Sequence, residues 1–317
     1  MLMRKIGKIS AVLMASTLFA FSAWYLTEHF QWREAFIALL GTDFLRLIGL
    51  VCIVQFAYIL IRTCRWRILV RHANPDVGFF DLYWITAVVL SLAILTPGQL
   101  GETLKIELLK RRGLLGRLPG LGAFALERVL DVLVISGMGV IGLLFGSGLA
   151  ERYSWMWVGA ATLITLGLIA LFVLLRFNLC GRAAPHWLIQ IRTGSGTPKI
   201  WIKMVFMTLF SWGLTGFGWQ IALFSVNIHL SLPEILWLIS LVTLGTLLSF
   251  IPGGLGVAEV LTVEVLVNMG IAPVTAQAGA LILRAYALIV ILFGLAHLIL
   301  GSIYHLPLRV RSHDSTH

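Results

Sequence analysis

The chain has 317 residues, 59% of them hydrophobic and only 12% charged, with a mean hydropathy of +0.95. A soluble domain carries about 25% charged residues, so the composition excludes a water-soluble globular protein and gives a polytopic integral membrane protein. The net charge of +10 does not point to nucleic acid. The basic residues sit in short connections between apolar runs, where they set topology and meet anionic headgroups.

The N-terminus, MLMRKIGKISAVLMASTLFAFSAWYL, starts basic and stays apolar to Leu26 with a poor small-residue cleavage site. It reads as an uncleaved first span, not a signal peptide. Further apolar runs fall at about 44–61, 80–96, 121–146, 155–175, 201–228, 234–251, 255–269 and 276–304, several of them near the length that crosses a bilayer core. Arg62, Arg65, Arg67 and Arg71 follow the second run; Arg62, Arg65 and Arg67 read as interfacial anchors, with Trp66 in the aromatic belt. Lys105, Lys110, Arg111, Arg112 and Arg117 follow Pro97. Arg176, Arg182, Arg192, Lys199 and Lys203 surround the loop at 193–198, and Arg309 and Arg311 lie near the C-terminus. The connections at 147–154, 229–233 and 269–275 hold a single basic residue, Arg152.

Placing the basic connections in the cytoplasm puts both termini there, in a multi-pass protein of the cytoplasmic (inner) membrane. It also forces the segment 80–110 to leave and return on the cytoplasmic side, and the segment 234–269 to do so on the outer side. Each turns at a Pro-Gly pair, in TPGQLGE with Pro97, Gly98 and Gly101, and in IPGGLGVAE with Pro252, Gly253, Gly254 and Gly256. The predicted fold is therefore all-α: about six full transmembrane helices plus two oppositely oriented re-entrant helical hairpins. Together these form an inverted-topology repeat (about 44–146 and 201–304) within one domain, 1–305, followed by a short cytoplasmic tail, 306–317. Such repeats place their sites near the midplane, at broken helices.

Charges inside these runs mark candidate sites, because each ion at a helix centre costs roughly 2.5–3.5 kcal/mol even on a lenient scale. Glu127, Arg128 and Asp131 lie in FALERVLDVLVIS, and Arg284 lies near the middle of the last run. Glu127 and Asp131 share a helix face, and Arg128 pairs with Asp131 at i+3; these three make either a salt-bridge network or a gate. Arg284 has no acid within a turn, so Glu259, Glu102 or a ligand phosphate must answer it. Glu102 and Glu259 follow the turns, 25–26 and 25 residues before Glu127–Arg128 and Arg284, and act either as capping acids or as partners that an anion displaces. The helix starts after the turns favour anions. Gln220 is a candidate cavity residue, and the GxxxG at Gly142 and Gly146 reads as helix packing. Cys52, Cys64 and Cys180 share no metal-ligand spacing, and His297 is alone in its span, so neither metal nor cofactor is expected.

The stretches RTCRW (62–66), TPGQLGE (96–102), ERVLD (127–131) and IPGGLGVAE (251–259), with Arg284, together resemble the lysylphosphatidylglycerol synthase transmembrane region, or flippase-like integral membrane family. The family's usual arginine after the first Pro is Gln99 here. In its best-known members this membrane region moves an aminoacylated phospholipid that a separate cytosolic domain makes. No such domain is read here, so the resemblance implies lipid translocation without aminoacyl transfer.

The leading expectation is a flippase without its own ATPase, not an enzyme, since no Walker sequence appears. A lipid with an anionic or zwitterionic headgroup, phospho- or isoprenoid, would be held by Arg128 and Arg284. Glu102, Glu127, Asp131 or Glu259 would offer proton coupling. The alternatives are a non-transport partner of a lipid-modifying enzyme or glycosyltransferase, and an integral membrane transferase using Glu127 and Asp131 as acid or base.

Overall fold

The computed structural model describes residues 16–146 apart from 72–73 and 75–76, isolated positions between 148 and 167, and residues 198–303. The expected span at 155–175 (positions 159 and 167 aside), Cys180 and the C-terminal tail lie outside the described residues. Those residues form helices and connections with no strand. In chain order they are α1 (16–28), α2 (Trp32–Leu39), α3 (Phe44–Arg71), α4 (Phe79–Ala93), α5 (Leu104–Arg111), α6 (Arg117–Phe145), α7 (Pro198–Phe224), α8 (Leu232–Ser249), α9 (Val257–Asn268) and α10 (Pro273–Ile303). Short 3-10 turns at Pro97–Thr103 and Pro252–Gly254 join α4 to α5 and α8 to α9.

Five described helices are long and apolar enough to cross a membrane: Phe44–Arg71, Pro119–Phe145, Lys199–Phe224, Leu232–Ser249 and Pro273–Ile303. α3 runs unbroken for 28 residues, about 42 Å at 1.5 Å per residue, so it carries its basic C-terminal third well beyond the apolar run at 44–61. Large apolar side chains such as Ile53, Phe206, Phe217 and Leu292 stay more than half exposed, as a lipid-facing surface requires.

Local chemistry fixes where helices start and stop. Ser231 and Glu234 form a capping box at the start of α8, the Ser231 N–H and hydroxyl both donating to Glu234 Oε2 at 2.8 and 2.7 Å. Phe250 ends that helix in the left-handed region, with φ +54°, just before Pro252. In each hairpin the turn is a proline followed by two left-handed residues: Gly98 and Gln99 (φ +55° and +56°), and Gly253 and Gly254 (φ +64° and +58°). The two turns touch; a Cβ on Gly98 would lie 3.4 Å from the Phe250 ring.

The helices pair reciprocally between the two halves. α4 packs on α10, and α8 packs on α6; α3 packs on α7. Each contact is antiparallel. Gly139 and Gly142 of α6 lie against Ser240 and Trp237 of α8, where a Cβ on Gly142 would come within 2.7 Å of the Pro233 carbonyl. Gly294 of α10 lies against Ser91 of α4, and Tyr83 against His297, with Tyr83 Oη 3.0 Å from His297 Nε2. The GxxxG glycine Gly142 is thus a packing residue. α1 and α2 lie outside this pairing and lean on the second half: Ser22 meets Gly256, and Tyr25 donates to Glu264 at 2.7 Å.

Candidate functional site

The charged residues of the first half gather into one buried lattice. Arg62, Arg65 and Trp66 project from α3 at i, i+3 and i+4, which puts them on one helix face. They meet Glu127 and Asp131, which share a face of α6. Arg62 donates to both oxygens of Asp131 at 3.0 and 2.9 Å. Arg65 donates to Asp131 Oδ1 at 2.7 Å, Glu127 Oε1 at 2.6 Å and Thr208 Oγ1 of α7 at 2.7 Å. Trp66 Nε1 donates to Glu127 Oε2, and Trp212 Nε1 donates to Asp131 Oδ1 at 3.3 Å. From α5, Lys105 reaches back to Glu102 at 3.1 Å and Glu127 at 3.4 Å, and lies 4.7 Å from the centre of the Trp66 ring.

Four cations (Arg62, Arg65, Lys105 and Arg128) thus face three carboxylates (Glu102, Glu127 and Asp131). Seven unpaired ions would cost on the order of 20 kcal/mol in the membrane interior. Mutual pairing offsets that, and removing one member strands its partners. Arg62, Arg65 and Trp66 are therefore not interfacial anchors: their side chains are buried, because α3 carries them inward to the acids of α6. Lys105 is likewise no loop cation but 1% exposed.

Of the alternatives left open, each turn glutamate pairs with the arginine of the following long helix. Arg128 Nη2 donates to Glu102 Oε2 at 3.0 Å and pairs with Asp131 at 2.8 Å. Arg284 Nε donates to Glu259 Oε1 at 2.6 Å, and Arg284 Nη1 donates to the Gly253 carbonyl at 2.8 Å. Glu259 is also a capping acid, accepting the Gly256 N–H at 2.8 Å. Glu102 is not: Thr96 Oγ1 accepts the Gly101 N–H at 2.8 Å, leaving Glu102 Oε2 to Arg62, Lys105 and Arg128.

A cavity of about 200 Å³ lies where the hairpin tips meet. Among the expected site residues, Glu102, Glu259 and Arg284 line it, as do Gly98, Gly253 and Gly254. Arg128, Glu127 and Asp131 do not, and neither do Pro97, Gly101, Pro252 and Gly256. Arg128 and Arg284 therefore do not share this chamber; Arg128 stands behind Glu102. Gln220 is not a cavity residue either, because its Nε2 donates to the Leu230 carbonyl at 2.9 Å and ties the end of α7 to the next connection.

Around the connection of α5 to α6, Arg117 and Arg111 donate to Glu107 and hold its part-exposed carboxyl below the usual carboxylate range. This is solvated surface, remote in character from the buried lattice.

An all-helical, multi-pass membrane protein whose broken helices enclose an arginine-bearing cavity is the class these features define. The chain belongs to the lysylphosphatidylglycerol synthase TM region family, whose model matches residues 10–294. It matches no curated protein.

Proposed function

We propose that the protein is a lipid translocase of the cytoplasmic membrane, carrying a phosphate-bearing headgroup between leaflets without an ATPase of its own. The observation that carries this reading is the meeting of two broken-helix tips at one cavity whose wall holds Arg284. Broken helices at the midplane form the substrate sites of many secondary transporters. Non-helical backbone is tolerated at that depth when it lines a cavity.

The helix pairing supports an inverted repeat. α3 and α7 open the two halves and so correspond to each other, yet they touch antiparallel, Thr42 near Ser225 and Arg65 near Thr208. Equivalent helices in antiparallel contact are related by an axis across their length, which is the inverted kind. α5 and α9, with 8 and 12 residues, span about 12 and 18 Å, short of the roughly 30 Å core. That favours re-entrant hairpins opening to opposite faces, although α8 alone has the length of a span.

On this reading Arg284 takes the phosphate, exchanging Glu259 for it as one charge-assisted partner for another. Glu127, Asp131 and Arg128 act as framework, since their charges are answered and they stand off the cavity wall. The partner is a lipid with an anionic or zwitterionic headgroup, and the driving force is a gradient, the membrane potential or proton uptake at Glu102 or Glu259. The test is a proteoliposome assay with tail-labelled phosphatidylglycerol and an impermeant quencher. Wild type makes inner-leaflet label accessible, and folded Arg284→Ala falls to the rate of empty vesicles. Wild type at the empty-vesicle rate ends this reading.

A further inference from the structure

The cavity wall offers more hydrogen-bonding capacity than the protein uses. The side chains of Gln55, Tyr58, Gln99, Thr243 and Thr262 line it, and none of them hydrogen-bonds another described residue. Gln55 is only 4% exposed and Thr262 2%. A buried amide brings two donors and two acceptor lone pairs, and buried groups of this kind are satisfied by protein, water or ligand. Other threonines on the wall behave differently. Thr96 donates to the Ala93 carbonyl at 2.6 Å, Thr215 to Ser211 at 3.3 Å and Thr246 to Thr243 at 3.0 Å, so their hydroxyls are spent on their own segments.

Gln99 sharpens the contrast. It holds φ +56° at the place in its turn that Gly254 holds, with φ +58°, in the other. The left-handed conformation disfavours a non-glycine residue by about 1–2 kcal/mol, and a glycine would build the turn without that cost. The side chain at this position stands on the cavity wall. Trp212 and Trp219 line the same space, and the Trp212 indole is fixed by its hydrogen bond to Asp131.

Neutral amides and hydroxyls beside two tryptophans, with Arg284 on the wall and the carboxylates of Glu102 and Glu259 each answered by an arginine, match the chemistry of a phosphate bearing a hydroxyl-rich group. The cavity, about 200 Å³, is smaller than the roughly 300–1,000 Å³ that encloses a drug-sized ligand, so it admits a headgroup and excludes acyl chains. Resting on the translocase reading, we infer that the cavity selects a phospholipid whose headgroup is a neutral polyol, glycerol or one sugar. Arg284 meets the phosphate, and Gln55, Gln99 and their neighbours meet the hydroxyls. A site built to hydrogen-bond hydroxyls discriminates against a ligand that lacks them, because its buried polar groups are left unpaired.

The test is equilibrium binding of short-chain phosphatidylglycerol, phosphatidic acid, phosphatidylethanolamine and a glycosyl phospholipid to the purified protein in detergent, beside the translocation assay. The expected result is about tenfold tighter binding of the polyol lipids than of phosphatidic acid. Gln55→Leu and Gln99→Gly each cut that preference to about threefold and leave phosphatidic acid binding unchanged. Gln99→Gly relaxes its turn, so misfolding does not explain a lost preference. Whether the glycosyl lipid or phosphatidylglycerol binds tighter assigns the polyol as sugar or glycerol. Equal binding of phosphatidic acid and the polyol lipids, or equal weakening of all by the two variants, overturns the inference while leaving translocation standing. No binding of any lipid, together with no translocation, takes down both.

Discussion

At the first hairpin, Glu102 shares one carboxylate oxygen among Arg62, Lys105 and Arg128 and belongs to a lattice that ties α3, α5, α6 and α7 together. At the second, Glu259 meets a single cation, Arg284, and caps its own helix. Both turns start as a proline followed by two left-handed residues, but Glu102 lies within its 3-10 segment, five residues after Pro97, whereas Glu259 lies in the first turn of α9, seven after Pro252. Moving the first pair disturbs several buried ions at once; exchanging the second disturbs one. A ligand's phosphate supplies a single replacement charge, which suffices for Arg284 and not for the lattice. On the proposed reading the first hairpin belongs to the framework and the second to the exchangeable site; α1 leans on the second through Ser22 and Tyr25.

The sharpest way to break this contrast is at Asp131. Asp131→Ala strands Arg62, Arg65 and Arg128, and a cost of about 3–5 kcal/mol is expected, read as lost folded yield and a lower melting temperature in detergent. Next, Gly142→Leu drives a side chain into the Pro233 carbonyl and Trp237, and should cost about 1–3 kcal/mol by the same readout. Gly137→Ala on the same helix, with open space around its Cβ, should be neutral or mildly stabilising. Arg284→Ala should lower stability less than Asp131→Ala does, because its side chain is 22% exposed and has one acid to strand, yet it should abolish translocation. If Arg284→Ala proves the more destabilising of the two, the division between framework and site fails. The smallest effect belongs to Glu107→Gln, where exposed partners make no measurable difference to melting. The sign follows from its lowered carboxyl: whatever it contributes is present above the ordinary carboxylate range and fades as pH falls through the folded value.

Much of this arrangement is legible in the sequence, for local reasons. Pro-Gly after an apolar run announces a broken helix, and the similar spacing from each turn glutamate to the next arginine, 26 and 25 residues, made Glu102–Arg128 and Glu259–Arg284 candidate pairs beside the capping role. The origin of Arg62 and Arg65 is not local. Cations at the end of an apolar run normally stay at the interface, and only the packing of α3 on α6 and α7 draws these inward. A signal was nonetheless present. Three acids, Glu102, Glu127 and Asp131, had two cations near them in the chain, Lys105 and Arg128, so a further cation had to arrive from another element. The i, i+3, i+4 spacing of Arg62, Arg65 and Trp66 gave the face that supplies them. Gln99 was visible as a residue type, but its left-handed backbone and its place on the wall depend on the turn geometry.

If headgroups pass where the hairpin tips meet, holding the tips together must stop them. Cysteines placed at Gly98 and Phe250, in a background with the native cysteines replaced, would be bridged by a short reducible crosslinker in proteoliposomes. Bridging is expected to stop lipid translocation, and reduction to restore it. Translocation that continues at the uncrosslinked rate with the tips bridged would contradict passage there.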